Sequence, residues 1–217
     1  MQTNTDKTTA VPTAVGDGSY RRELTEDDLL RARIPKRYWE ARLADAQETV
    51  QLIARRYIAN FVVMRERGVG LLLWGPNGVG KTSIAVVLGK EYRRRGHSLL
   101  FLEAAEIKGA VINSEMFDDD QTLWERAKSV DVLMIDDLGK GVQDSTGFGA
   151  RVLDELIRHR NANKRVTFIS TNMTLKAIED ELKASTMHSL KECIFPVRVV
   201  GDDLREKSKA EIDSLLR

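Results

Sequence analysis

The chain has a single cysteine, Cys193, so it cannot form an intramolecular disulfide. No Cys or His cluster stands at metal-ligand spacing either, and neither disulfides nor a zinc-type site organise the fold. A reducing cytoplasm fits that usage. Long hydrophobic runs are also missing. No stretch is long enough to span a bilayer, and Met1 to Gly18 is polar and rich in Thr, with no apolar h-region. Secretion and membrane insertion are therefore not expected. An excess of charge of one sign is lacking too: 34 Lys and Arg against 33 Asp and Glu leave a formal net charge of +1. Any nucleic-acid binding must then come from a local patch or an assembled ring, not from bulk basicity. There is no internal repeat.

What is present is ordinary for a globular protein, with 42% hydrophobic and 31% charged residues over 217 positions. That length suits one α/β domain with a sizeable core plus a short extension. Residues 1–18 read as a disordered tail without periodicity. Residues 19–66 read as a helical extension. Within it, Thr25 caps a short helix, Asp28 completes a capping-box pattern, and Pro35 stops the helix after Ile34. A longer helix is expected from about Leu43, with Val50, Ile53, Tyr57, Phe61 and Met64 on one face and Gly68 at its end.

From residue 67 the period changes. Short apolar runs at Leu71–Trp74, Leu99–Leu102, Val132–Ile135, Val166–Ser170 and Val197–Val200 alternate with helical stretches. Runs apolar on both faces suit strands covered by helices on each side, so the expectation is a three-layer α/β fold around a five-stranded parallel sheet. Helices are expected at Thr82–Arg94, Gln121–Lys128, Phe148–Asn161, Leu175–Lys183 and near Asp203–Leu216.

Directly after the first run comes Gly75-Pro76-Asn77-Gly78-Val79-Gly80-Lys81-Thr82, followed by Ser83 and an apolar helix. Glycines let such a loop curl so that successive N–H groups face phosphate oxygens, and the helix N-terminus adds partial positive charge. This is a P-loop for ATP: Lys81 would reach the β- and γ-phosphates and the Thr82 hydroxyl would ligate Mg2+. A Rossmann loop is rejected, because Gly78-Val79-Gly80 runs on into Lys81-Thr82-Ser83 without a third glycine.

The metal needs a second anchor, and hydrolysis needs a group to orient water. Asp136-Asp137, at the end of the Val132–Ile135 run, supplies two carboxylates. Asp136 is assigned to the metal and Asp137 to polarising the attacking water. In isolation such a pair reads as a solvated turn; the P-loop upstream changes the reading. Asn172, after Val166–Thr171, would hold the lytic water, or else merely turn the chain.

With these elements in order, the chain resembles the AAA+ ATPases of the DnaC type, the bacterial replicative helicase loaders, and their IstB-type relatives. The resemblance rests on Ile34–Tyr38, the P-loop, Asp136-Asp137-Leu138-Gly139, Ser170-Thr171-Asn172 and Gly201-Asp202-Asp203-Leu204-Arg205. It implies an AAA+ core over 67–205 with a C-terminal helix over 206–217. Asn172 would then be sensor 1 and Arg205 sensor 2, with Tyr38 and Trp39 as candidates to pack near the base. It also implies a hexameric replicative helicase and single-stranded DNA as partners, with assembly into a spiral or ring.

Two departures stand out. Where the family carries an arginine finger, this sequence reads His188-Ser189-Leu190, so hydrolysis is expected to be weak, partner-dependent, or served by Arg158, Arg160 or Arg198. The segment before the long helix is also short for a helicase-gripping domain. The alternatives are a transposition helper acting on duplex DNA, a nucleotide-gated binding module with little turnover, and a small-molecule kinase, for which no lid sequence is found. Basic clusters at Arg55-Arg56, Arg93-Arg94-Arg95 and Arg158–Lys164 are candidates for a DNA channel, each readable also as a solvated helix end. Asp118–Asp120 reads as a helix cap, Cys193 as a buried thiol, and His97, His159 and His188 show no ligand spacing.

Overall fold

The computed structural model describes residues 13–14, 20–116, 122–139, 147–182, 184–204, 206 and 213–216. Most of the expected tail, the Asp118–Asp120 run and Arg205 lie outside them. Thr13–Ala14 pairs antiparallel with Tyr20–Arg21.

Helix α1 (Glu26–Arg31) opens with the expected capping box: Asp28 N–H donates to the Thr25 hydroxyl, and the Asp28 carboxylate accepts from Thr25 N–H. The helix stops before Pro35 can act, because Arg33 takes a left-handed φ of 57°. The expected long helix is divided. A 3-10 turn at Leu43–Asp45 leads into α2 (Glu48–Ala59), and α3 (Phe61–Arg67) follows after a break at Asn60. There the Asn60 side-chain amide donates to Arg56 O at 2.9 Å, a local bond of the kind that competes with helix continuation. Gly68, at φ 68°, caps α3 as expected.

Five strands follow: β1 (Gly70–Trp74), β2 (Leu99–Glu103), β3 (Val132–Asp136), β4 (Val166–Thr171) and β5 (Ile194–Arg198). They pair in parallel in the order β2-β3-β4-β1-β5. The first four match the apolar runs. The last starts three residues before the expected Val197, since Ile194, exposed Phe195 and Pro196 also belong to it. Proline is tolerated there because β5 is an edge strand. At the opposite edge, β2 donates Phe101 N–H to Ala32 O at 2.8 Å.

Alternation along the strands feeds two cores. Leu71, Leu73, Phe101, Met134 and Phe168 pack against α1, α2, α3 and α4 (Lys81–Arg94) on one face. Leu72, Leu100, Leu102, Leu133, Ile135 and Ile169 pack on the other. That second layer holds α5 (Glu106–Met116), α6 (Leu123–Ser129), α7 (Phe148–Ala162), α8 (Leu175–Glu181) and α9 (Ala184–Cys193). Neither α5 nor α9 was expected from the sequence.

Arg160 of α7 is completely buried in this layer. Its guanidinium donates to Ala127 O at 2.8 Å, Val130 O at 2.9 Å, Val166 O at 2.6 Å and Thr167 Oγ1 at 3.0 Å. It thus ties the end of α6 to the starts of β3 and β4. Burial pushes its pKa down to about 9, which still leaves it charged at neutral pH.

Candidate phosphate and metal site

Parallel strands in this order bring the carboxyl ends of β1, β3 and β4 side by side, where an open α/β sheet forms its ligand crevice. The loop after β1 enters α4 through Gly78 and Gly80, at φ 76° and 88°. These left-handed turns are open to glycine without strain and aim backbone N–H groups into one concavity at the helix N-terminus. Pro76 and Asn77 are exposed, whereas Val79 is buried in the core as packing.

Lys81 is 7% exposed, and its ammonium crosses the loop, donating to Gly75 O at 2.9 Å, to Pro76 O, and to Asn172 Oδ1 at 2.6 Å. One residue on, Thr82 Oγ1 donates to Asp136 Oδ1 at 2.7 Å. Ser83 is half-buried in the first turn of α4. Asp137 follows Asp136 with a left-handed φ of 55°, a conformation costing a non-glycine residue about 1–3 kcal/mol and typical of functional sites. Asn172 Nδ2 lies 3.4 Å from Asp137 Oδ1. Lys81, Thr82, Asp136, Asp137 and Asn172 therefore form one hydrogen-bonded constellation. Sequence reasoning passed over Ser170, which is buried and hydrogen-bonds both acids.

The donor set suits a magnesium-bound triphosphate. A hydroxyl and a carboxylate in contact are hard oxygen ligands, and Mg2+ binds through one or two such groups while keeping several waters. Among the described residues no group of three or more His, Cys, Asp or Glu could hold an ion by itself. The segment after β5 closes on the loop: Leu204 N–H donates to Gly78 O at 3.0 Å. Asp203 packs so near that a Cβ on Gly78 would come within 1.9 Å of its Oδ1. The expected sensor 2 arginine, Arg205, lies outside the described residues, but the residues before it reach the P-loop.

A model of the family described as IstB-like ATP binding protein matches residues 37–211. The chain belongs to that family. As an IstB-like ATP binding protein it binds nucleotide. It is 32% identical over 154 residues to the replicative helicase loader DnaI of Bacillus subtilis, covering 64% of this chain and 48% of that protein. It is 24% identical over 141 residues to the replicative helicase loader DnaC of Escherichia coli K12, covering 64% of this chain and 55% of that protein. The chain thus spans about half the length of these relatives. A crystal structure of the DnaC helicase loader superposes with a TM-score of 0.66 at 24% identity, covering 76% of this chain and 100% of that one. The AAA+ fold expected from the sequence is thereby established.

Several expectations for this IstB-like protein need correction. Tyr38, a candidate to pack near the base, packs on Phe101, and the Trp39 carbonyl accepts from Lys90 at 2.7 Å. Lys90 is nine residues along α4 from Lys81, or about 13 Å at the helical rise. Arg160 is sealed in the core and cannot enter a neighbouring subunit. Arg158 and Arg198 remain exposed, Arg198 lying over the Trp74 ring at 5.4 Å. In the His188-Ser189-Leu190 stretch that matches the family's finger box, His188 is exposed and pairs with Glu192.

The Arg93–Arg95 cluster is committed internally. Arg93 pairs with Asp28 at 2.7 Å, and both Arg94 and Arg95 face buried Glu91. Arg95 also covers the Phe61 ring at 4.1 Å. Arg55 and Arg56 stay exposed on α2. Cys193 is buried, with burial pushing its thiol up to about 11. No helix among the described residues is long and apolar enough to cross a membrane.

Proposed function

We propose that this chain binds ATP with Mg2+ at the P-loop and uses it to load or remodel a hexameric replicative helicase on single-stranded DNA in the cytoplasm. The observation that carries this reading is the convergence of Lys81, Thr82, Asp136 and Asn172 at the carboxyl ends of the central strands, in a chain similar to the helicase loader DnaI. When bound, the metal neutralises charge on the phosphate oxygens. Backbone N–H groups of Gly78, Val79, Gly80, Lys81, Thr82 and Ser83 cradle the phosphates, with Gly75, Pro76 and Asn77 shaping the loop. Lys81 exchanges Asn172 Oδ1 for phosphate oxygen, and Thr82 and Asp136 hold the metal. Asp137 and Asn172, already in contact, hold and polarise the attacking water. Arg205 reports the nucleotide to the C-terminal helix over 206–217. The core extends over 67–205 and the helical extension over 19–66.

With His188-Ser189-Leu190 where the family's finger box would stand and no arginine in it, turnover by the lone chain is weak and rises on assembly into a spiral or ring or on contact with a partner. Exposed Arg158 or Arg198 then supplies the missing cation. That same departure favours a second reading, a nucleotide-gated module with little turnover. The IstB-like membership favours a third, a transposition helper acting on duplex DNA.

Native mass spectrometry with ATP, Mg2+ and hexameric replicative helicase tests the first reading. A stoichiometric, ATP-dependent complex is expected, and Lys81→Ala abolishes it together with nucleotide uptake. Equal complex formation without ATP, or none with wild-type protein that takes up nucleotide, rejects helicase loading.

A further inference from the structure

Ser170 lies at the carboxyl end of β4 beside β3 and is 3% exposed. Alanine would fill its volume, so the hydroxyl calls for a reason. Its proton goes to Asp136 Oδ1, the same oxygen that accepts from Thr82 Oγ1. Its lone pair takes the Asp137 backbone N–H at 3.3 Å. A single buried hydroxyl is therefore spent on both acid-bearing residues, one through its carboxylate and one through its backbone. The second bond falls on the residue held at φ 55°.

We infer that Ser170 is a positioning residue for the metal and water sites, fixing the Asp136 carboxylate toward Thr82 and holding Asp137 in its left-handed turn. The inference rests on the proposed ATP and magnesium reading. Two donors on Oδ1 define one rotamer of Asp136 and leave Oδ2 outside both bonds. Removing one donor lets the carboxylate swing away from the P-loop threonine and loosens the turn that aims Asp137 at Asn172. Ser170 touches neither phosphate nor metal in this arrangement. Its loss consequently weakens the metal-dependent part of nucleotide binding and leaves the metal-free part intact. Partners of this outer-shell kind change metal affinity by about 10–100-fold when removed.

The test titrates magnesium chloride into full-length protein with a fluorescent ATP analogue, and repeats the analogue titration in EDTA. Ser170→Ala is expected to raise the magnesium concentration at half-maximal uptake by about 10-fold, with EDTA affinity within about twofold of wild type and Ser170→Thr returning the wild-type half-point. An unchanged half-point in Ser170→Ala overturns the inference. So does an equal weakening with and without magnesium, which is the signature of a packing role alone. Ser170→Cys keeps a side chain of similar size with only a weak donor, and carries the comparison should the alanine variant fail to fold. Loss of the fold in both also overturns the inference, because a positioning hydroxyl is not needed to build the sheet. If wild-type protein takes up no analogue in either buffer, it is the ATP-binding reading that fails.

Discussion

Replacing Arg160 by methionine separates a structural guanidinium from a catalytic one. In the folded chain that guanidinium satisfies Ala127 O, Val130 O, Val166 O and Thr167 Oγ1, all at 3.0 Å or less. Hydrogen bonds to charged groups contribute about 1.5–3 kcal/mol each, but they do not add, and methionine escapes the cost of burying a charge. Each buried acceptor left without its donor costs about 1–3 kcal/mol, and with part of that offset by the charge no longer buried a loss of about 3–5 kcal/mol is expected here. For a chain of this size each kcal/mol moves Tm by about 2–4 °C, so the midpoint should fall by about 6–20 °C. Urea denaturation followed by far-UV circular dichroism, with nucleotide uptake measured below the transition, reads both quantities. The variant should be much less stable, yet take up ATP with wild-type affinity per folded molecule. A stability loss under about 1 kcal/mol with turnover abolished would show that the guanidinium works on the nucleotide and that the structural account is wrong.

Other outcomes can be checked alongside. The Arg22 guanidinium first, then the Thr25 backbone N–H and the Arg93 guanidinium, hold the Asp28 carboxyl well below the usual carboxylate range against the opposing effect of burial. A depressed folded-state pKa gives stability that is complete above the unfolded value near 4 and is lost as pH falls toward the folded one. Asp28→Asn should therefore be less stable at pH 7 and lose less stability than wild type between about pH 4 and 2; parallel acid limbs in the two proteins would refute this. For DNA, Arg55→Glu with Arg56→Glu should weaken single-strand binding and reduce the log–log salt slope by about 1.4. Arg95→Ala should leave DNA binding alone and cost about 3–5 kcal/mol of stability, because it leaves buried Glu91 short of a partner and uncovers Phe61. The reverse pattern in filter binding and urea titration would return the Arg93–Arg95 cluster to the surface.

The five strands, the last with displaced bounds, and the phosphate loop could be read from the sequence because both depend on local order. A strand buried on two faces is an apolar run, and a phosphate loop is a contiguous spacing of glycines before Lys81. Helices α5 and α9 were missed for a local reason as well. In α5 a glycine, Gly109, interrupts the apolar set Ile107, Ala110 and Val111, and α9 is rich in Ser and Thr. The first three residues of strand β5 hid behind Pro196, which argues against a strand except at an edge. What the sequence could not reveal is long-range pairing. Nothing near Arg93 announces Asp28, 65 positions away, and nothing around Arg160 announces the carbonyls of Ala127 and Val130. Ser170 was quoted only as part of a motif, since its neighbours on β3 become neighbours only when the sheet forms.

The two margins of the sheet carry a consequence for how copies of this chain can meet. On one side Phe101 N–H is taken by Ala32; on the other, Pro196 removes a donor from the row. Ribbon-like growth by backbone zippering is thus obstructed at both flanks. Any higher-order particle must be joined through side chains on helices and loops, which can be loosened and rebuilt far more readily than a continuous β-ladder.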